Sequence, residues 1–283
     1  PKYDSLRNVI RKSVPSRIPE PPAALPLIEI PGIRLNQVAD LLSIARKQQK
    51  TEATQPMTFE QLQQGYGYVL YSCHFDQPIG GTLEIPGLRD YATVYVDGEK
   101  VGELNRYYKN YSMEIEIPFN STLEILVENM GRINYGTEIV NNRKGIISPV
   151  KIAGNEIQNW SMYPLPMSEV PDFSRFESED VHANPTSSAE ALKGKPVLYQ
   201  GTFEIDKPGD TFIDMEEWGK GIIFINGKNI GRYWQVGPQQ TLYIPGVWLK
   251  KGTNQIVILE QLNDTTKQEV KTVKTPVLTK LKK

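Results

Sequence analysis

From Gly65 onward the apolar positions come in short runs, alternating or continuous, broken by Gly, Pro, Asp and Asn about every 8 to 12 residues. That rhythm predicts antiparallel strands. The clearest run is Gly221-Ile-Ile-Phe-Ile-Asn-Gly-Lys-Asn-Ile-Gly-Arg-Tyr-Trp234, where a β-branched and aromatic segment meets Asn226-Gly227. Such a junction is a strong local hairpin signal. It has a twin in Val94-Tyr-Val-Asp97-Gly98-Glu-Lys-Val-Gly102. Three further pairs follow in the same order. Val69 to Phe75 matches Val197 to Phe203, Ile115 to Pro118 matches Leu242 to Pro245, and Leu123 to Glu128 matches Gln255 to Glu260. Separations that stay between 127 and 132 residues imply two copies of one domain. No helical period of comparable length interrupts either copy, which argues against a parallel α/β sheet.

Upstream the pattern differs. Tyr3, Leu6, Ile10 and Val14 recur at helical spacing with Arg7, Arg11 and Lys12 elsewhere on the surface, and Pro15 ends the helix. A helix this short needs a partner surface. Prolines 15, 19, 21, 22, 26 and 31 then force an extended connector, within which Leu27 to Ile30 reads as an isolated strand. Leu35 to Arg46, with Val38, Leu41, Leu42 and Ala45 at helical spacing, reads as a helix, and Arg46 to Gln55 as a loose polar segment. Thr58-Phe-Glu-Gln61 fits a capping box over one helical turn. The expected division is a terminal helix (1–14), a connector (15–57), a first sandwich (58–165), a connecting loop (166–195) and a second sandwich (196–283). Val270 to Leu278 supplies a last edge strand, limited by Pro276.

Composition narrows the function. Lys and Arg (32) nearly balance Asp and Glu (33), leaving a net charge of -1 that gives no field for nucleic acid. No apolar run is long enough to span a bilayer. A single cysteine, Cys73, excludes an internal disulfide and reads as a buried small hydrophobe.

Several stretches resemble the C-terminal, non-catalytic half of family-35 glycoside hydrolases, the β-galactosidases. Pro1-Lys-Tyr-Asp-Ser-Leu-Arg7 looks like the end of that family's catalytic (β/α)8 barrel, and Gln64-Gly-Tyr-Gly-Tyr-Val-Leu-Tyr71 like the entry to its first all-β domain. Val127-Glu-Asn-Met-Gly-Arg-Ile-Asn-Tyr-Gly136 is distinctive, and Gly221 to Trp234 with Val247 to Asn254 looks like its galactose-binding jelly roll. The resemblance implies an all-β fold of two tandem jelly-roll sandwiches behind a short helix and a Pro-rich connector. It also implies a retaining β-galactosidase whose paired glutamates, about 5–5.5 Å apart, sit on a barrel of the same polypeptide. Hydrolysis by this chain alone is not expected. The implied partners are that barrel and a β-galactoside or oligosaccharide, and the implied parent is periplasmic or secreted.

The residues themselves offer little catalytic chemistry. Glu216/Glu217, Glu177/Glu179/Asp180 and Glu114/Glu116 read as solvated acids. His74 and His182 stand in unrelated contexts, so neither a metal site nor a cofactor is expected. The loop Arg132-Ile-Asn-Tyr-Gly136 has no counterpart in the second copy. Its Arg132, Asn134 and Tyr135 could bond hydroxyls and stack on a sugar, which makes them the candidate substrate rim; the plainer reading is a structural loop with Arg132 paired to Glu128. Tyr108, Trp234 and Trp248 are candidate sugar-stacking rings. The competing functions are an independent carbohydrate-binding module and a purely structural or interaction domain.

Overall fold

The computed structural model describes every residue except 1, 15–17, 21–22, 24–25, 172–178, 181–191, 265–266, 268 and 283, and the backbone alone of 179 and 180. The readings placed on Glu177 and His182 lie outside the described residues. The chain forms two antiparallel β-sandwiches. In the first, the large sheet runs Thr51–Ala53, Trp160–Leu165, Tyr68–Phe75, Ser121–Glu128, Tyr91–Val96, Glu99–Asn105. A smaller sheet of Asn155–Glu156, Lys151–Ile152, Ile79–Glu84 and Ser112–Ile117 closes over it. Val69, Tyr71, Cys73, Leu123, Ile125, Val127 and Trp160 fill the space between them. Along Ser112–Ile117, Ile115 and Ile117 point into this core while Glu114 and Glu116 face solvent.

The second sandwich repeats the plan. Its large sheet runs Glu179–Asp180, Ile33–Asp40, Val197–Ile205, Gly252–Glu260, Lys220–Ile225, Lys228–Trp234, opposed by Thr241–Ile244, Thr211–Asp214 and Thr272–Val273. The equivalence extends to details. Both hairpin turns have positive φ at their two central residues, 50° and 80° at Asp97-Gly98 and 49° and 79° at Asn226-Gly227, as a type I′ turn requires. Each turn residue grips the neighbouring strand twice. Asp97 N donates to the Thr122 carbonyl and its carboxylate accepts from Thr122 N, and Asn226 does the same with Gln255. Both hairpins also slip register at the same place, between Val94 and Tyr95 and between Ile223 and Phe224.

The two large sheets pack face to face. Tyr68, Leu70, Tyr95 and Leu126 from one meet Leu198, Ile222, Phe224, Val257 and Leu259 from the other in a third apolar core. This explains the continuous apolar runs. Val94 to Val96 and Ile222 to Ile225 are buried on both faces, which abolishes the alternation of a half-exposed strand.

The connector departs from the sequence reading. Leu35 to Arg46 is not one helix: Ile33–Asp40 is a strand of the second sandwich, antiparallel to Val197–Ile205, and only Leu41–Arg46 is helical. A register shift between Leu35 and Gln37 places Ile33, Leu35 and Val38 in the second core and turns Ala39 toward the third, so the period-2 signal is broken. Asp40 caps the helix by accepting from Leu42 N (2.9 Å) and Ser43 Oγ (2.7 Å), and Leu41, Leu42, Ile44 and Ala45 are fully buried between the sandwiches. Thr51–Ala53, read as loose, adds to the edge of the first sandwich. One connector therefore enters both sandwiches, and the second begins well before residue 196. The last strand is also divided: Glu269–Val270 pairs with residues 33–34 and Thr272–Val273 with residues 212–213. The Thr58–Gln61 box forms both of its bonds, Thr58 N to Gln61 Oε1 at 2.8 Å and Gln61 N to Thr58 Oγ1 at 3.3 Å. The first helix, Lys2–Ser13, exposes Tyr3, Leu6, Val9 and Ile10, whereas Arg7, expected at the surface, is buried and paired with Glu20 at 2.8 Å.

Candidate sugar-contact loop

Where Ser121–Glu128 leaves the sheet, the chain is held by a dense polar base. Asn129 N donates to the Gly67 carbonyl (3.0 Å), its Nδ2 to the Gly65 carbonyl (2.9 Å), and its Oδ1 accepts from Gly131 N (2.9 Å). Met130 N donates to Asp90 Oδ2 at 3.0 Å. Asp90 also receives Lys144 Nζ at 2.6 Å and Arg106 at 2.9 Å. Burial pushes the Lys144 ammonium below its ordinary pKa, and the Asp90 carboxylate works against that shift. The Asp90–Lys144 pair is a structural clamp under the loop.

The loop itself is pinned once more before it opens to solvent. Arg132 contacts Glu60 Oε1 at 2.5 Å and donates to the Asn142 carbonyl at 2.9 Å, while Ile133 N donates to Asn142 Oδ1 at 3.2 Å. Partial burial would raise the Glu60 carboxyl, but the Arg132 guanidinium and the Lys144 backbone N–H hold it below the usual range. Beyond this anchor Asn134 is exposed and Tyr135 is 89% exposed, followed by a 3-10 turn, Thr137–Asn141, whose Val140 is equally open. The anchor partner of Arg132 is Glu60, 72 residues away in sequence, not Glu128.

Glu128 turns the other way, to the second sandwich. It is 1% exposed and meets Lys220 Nζ at 2.5 Å; Lys220 is 2% exposed. The Arg232 guanidinium lies 3.6 Å from the other Glu128 oxygen. The Lys220 ammonium also sits over the rings of Trp234 (4.9 Å) and Tyr91 (5.1 Å). Trp234 stands edge-on to Tyr107, which stands edge-on to Tyr108. The candidate rings thus divide. Tyr108 and Trp234 belong to one aromatic cluster over Lys220, at the end where the 121–128 strand finishes. Trp248 is elsewhere, beside the opposite hairpin turn, where its carbonyl accepts from Asn226 Nδ2 at 2.8 Å and Lys228 covers its ring.

The second copy treats its equivalent glutamate differently. Glu260 accepts from Gly219 N (2.8 Å), Lys220 N (3.0 Å) and Leu262 N (3.1 Å). Gly219 leaves the room; a Cβ there would lie 2.8 Å from Glu260 Oε1. Burial nevertheless outweighs these donors and holds the Glu260 carboxyl above its ordinary value of 4.5. A carboxyl that keeps its proton more readily folded than unfolded stabilises the fold at low pH and loses that contribution as pH rises. The urea-unfolding free energy of wild type minus that of Glu260→Gln is therefore expected to fall as pH rises from about 4.5. A difference that grows with pH contradicts this assignment.

The loop, its clamp and the aromatic cluster hold no activated nucleophile. Among the described residues no group of three His, Cys, Asp or Glu side chains is arranged to hold a metal. Cys73 is buried, with its thiol pushed up to about 11 by burial. The arrangement suits binding, through exposed ring and amide groups on a rigid base. Sequence reasoning missed Glu60, Asp90, Lys144, Lys220 and Arg232. The signal present was a lysine, Lys220, opening an otherwise apolar strand.

Comparison with known proteins matches the sequence to a family. Residues 56–166 match the model described as the first all-beta domain of beta-galactosidase, and residues 196–254 its galactose-binding domain. The chain belongs to the β-galactosidase family. It is 37% identical to a beta-galactosidase of Xanthomonas manihotis, covering 86% of this chain and 39% of that protein. It is 36% identical to the mouse beta-galactosidase (92% and 43%) and 34% identical to human Beta-galactosidase-1-like protein 2 (92% and 41%). The chain thus spans less than half the length of these relatives, and what it carries are two all-β domains of the family.

Proposed function

We propose that the chain forms the sandwich region of a retaining β-galactosidase, bracing a catalytic barrel of the same polypeptide and lining the entrance to its galactose pocket with Arg132, Asn134 and Tyr135. The observation that carries this is the contrast within one loop: a base satisfied by Asp90, Lys144, Glu60 and Gly67, and a tip whose Tyr135 is 89% exposed. Ordering an aromatic tip against solvent brings no burial of its own, and binding residues concentrate on loops held by rigid scaffolds. The exposed apolar side of the first helix supports the same reading, because Tyr3, Leu6 and Val9 need a covering surface. In the full-length enzyme, Tyr135→Ala is expected to lower kcat/KM for a β-galactoside about tenfold, through a raised KM and with an unchanged melting temperature. Unchanged kcat/KM sinks the rim assignment.

A second reading, an independent carbohydrate-binding module, draws on Tyr107 and Tyr108, an exposed pair of rings in edge-on contact at 4.9 Å. Calorimetry of this chain with galactose and lactose separates the two, since absence of heat at millimolar ligand removes the module.

A further inference from the structure

The base of the Tyr135 loop is closed from outside its own domain. Strand Ser121–Glu128 ends at Glu128, and the next two carbonyls, of Asn129 and Met130, have left the ladder of the first sandwich. Arg232 reaches them from strand Lys228–Trp234 of the second. Its NH1 donates to the Asn129 carbonyl at 3.0 Å and its NH2 to the Met130 carbonyl at 2.5 Å, so one planar guanidinium bridges successive peptide units. Space is provided at Gly131, where φ is 110° and a Cβ would already lie 3.3 Å from Arg232 NH2. Arg232 is itself aligned by Glu128 at 3.6 Å and by the Tyr66 ring, 6.0 Å from its guanidinium carbon. The backbone N–H groups of the same residues are taken by Gly67 and Asp90. For these two residues, therefore, the first sandwich accepts from the backbone N–H groups and the second sandwich donates to the carbonyls.

We infer that Arg232 is a positioning residue for the Tyr135 loop, and that the second sandwich serves the galactoside site by fixing this loop rather than by touching sugar. The inference rests on the reading of Tyr135 as a rim residue. It also gives the second copy, whose sequence has no counterpart of Arg132 to Gly136, a task in the same site. Arg232→Lys keeps the charge but loses the planar fork that matches two successive carbonyls, and Arg232→Met loses every N–H donor.

The experiment compares Arg232→Met, Arg232→Lys, Tyr135→Ala and the Arg232→Met/Tyr135→Ala double variant in the full-length enzyme. Kinetics with a chromogenic β-galactoside are read beside amide hydrogen exchange of residues 130–136. Arg232→Met is expected to speed exchange in this segment and raise KM about tenfold, the order set by losing charge-assisted hydrogen bonds. Arg232→Lys should fall between wild type and methionine. Adding Arg232→Met to Tyr135→Ala should raise KM little further, because the ring being positioned is gone. Unchanged exchange in Arg232→Met overturns the inference. So does faster exchange with unchanged KM when Tyr135→Ala is itself damaging. If both single variants are kinetically silent while exchange still rises, the fixing of the loop by Arg232 stands and the rim reading of Tyr135 falls.

Discussion

Lys220→Met is expected to destabilise the protein by about 3–5 kcal/mol, a large part of an ordinary folding free energy. Lys220 and Glu128 are both essentially inaccessible, at 2% and 1% exposed, and they come from different sandwiches. Removing the ammonium leaves a buried carboxylate with Arg232 at 3.6 Å as its nearest cation, an arm already committed to the Asn129 and Met130 carbonyls. Methionine restores much of the volume beside Tyr91 and Trp234 but none of the charge. Burial lowers the Lys220 pKa while Glu128 opposes the shift, so the pair is costly to desolvate and more costly to break. Lys220→Met combined with Glu128→Leu should recover most of the loss. Urea denaturation of the two single variants and the double variant measures the coupling. Single variants within about 0.5 kcal/mol of wild type would show that the pair contributes nothing to the junction.

The second large effect concerns the connector. A chain that starts at residue 51 is expected to lose the folded second sandwich, although all of residues 196–283, which the repeat assigns to it, are still present. Ile33–Asp40 is an internal strand there, lying between Val197–Ile205 and the short Glu179–Asp180 strand. It brings Ile33, Leu35 and Val38 into the second core, and the following helix brings Leu41, Leu42, Ile44 and Ala45 between the sandwiches. Each buried aliphatic side chain removed costs roughly 2–5 kcal/mol, and the Val197–Ile205 backbone is left unpaired along one side. Removal of residues 1–14 alone should leave both sandwiches folded, since that helix exposes its apolar residues. Near-ultraviolet circular dichroism and a thermal melt distinguish these outcomes. A cooperative melt of the chain beginning at 51, with native aromatic ellipticity, would refute the assignment.

The hairpin turns were legible locally. Asp97-Gly98 and Asn226-Gly227 announce their hairpins because positive φ is a property of those residues in sequence. The family resemblance rests on segments that the fold keeps together, such as Val127 to Gly136. What escaped is non-local. Val38, Leu41 and Ala45 have helical spacing only because a register shift after Leu35 and the start of a real helix at Leu41 together imitate it. Arg132 and Glu128 lie four apart in sequence, yet the strand carries Glu128 across to Lys220 while the loop turns Arg132 to Glu60. The loop with Arg132, Asn134 and Tyr135 could be singled out because one copy has it and the other does not. Its base of Asp90, Lys144 and Arg232 could not, since Lys144 meets Asp90 from 54 residues away and Arg232 arrives from the other sandwich.

The placement of Ile33–Asp40 also sets an order on the molecule's birth. During synthesis this strand leaves the ribosome long before its partner: Gln37 and Gln200, which meet across the ladder, are 163 residues apart. Every strand of the first sandwich, from Thr51–Ala53 to Trp160–Leu165, is encoded between them and can close while the early strand waits unpaired. Completion of the second sandwich then draws that strand home and seals the junction around the Leu41–Arg46 helix. Completion of the second sandwich also brings Arg232 to the Asn129 and Met130 carbonyls, so a nascent chain would acquire the full base of the Tyr135 loop only when both sandwiches have been made.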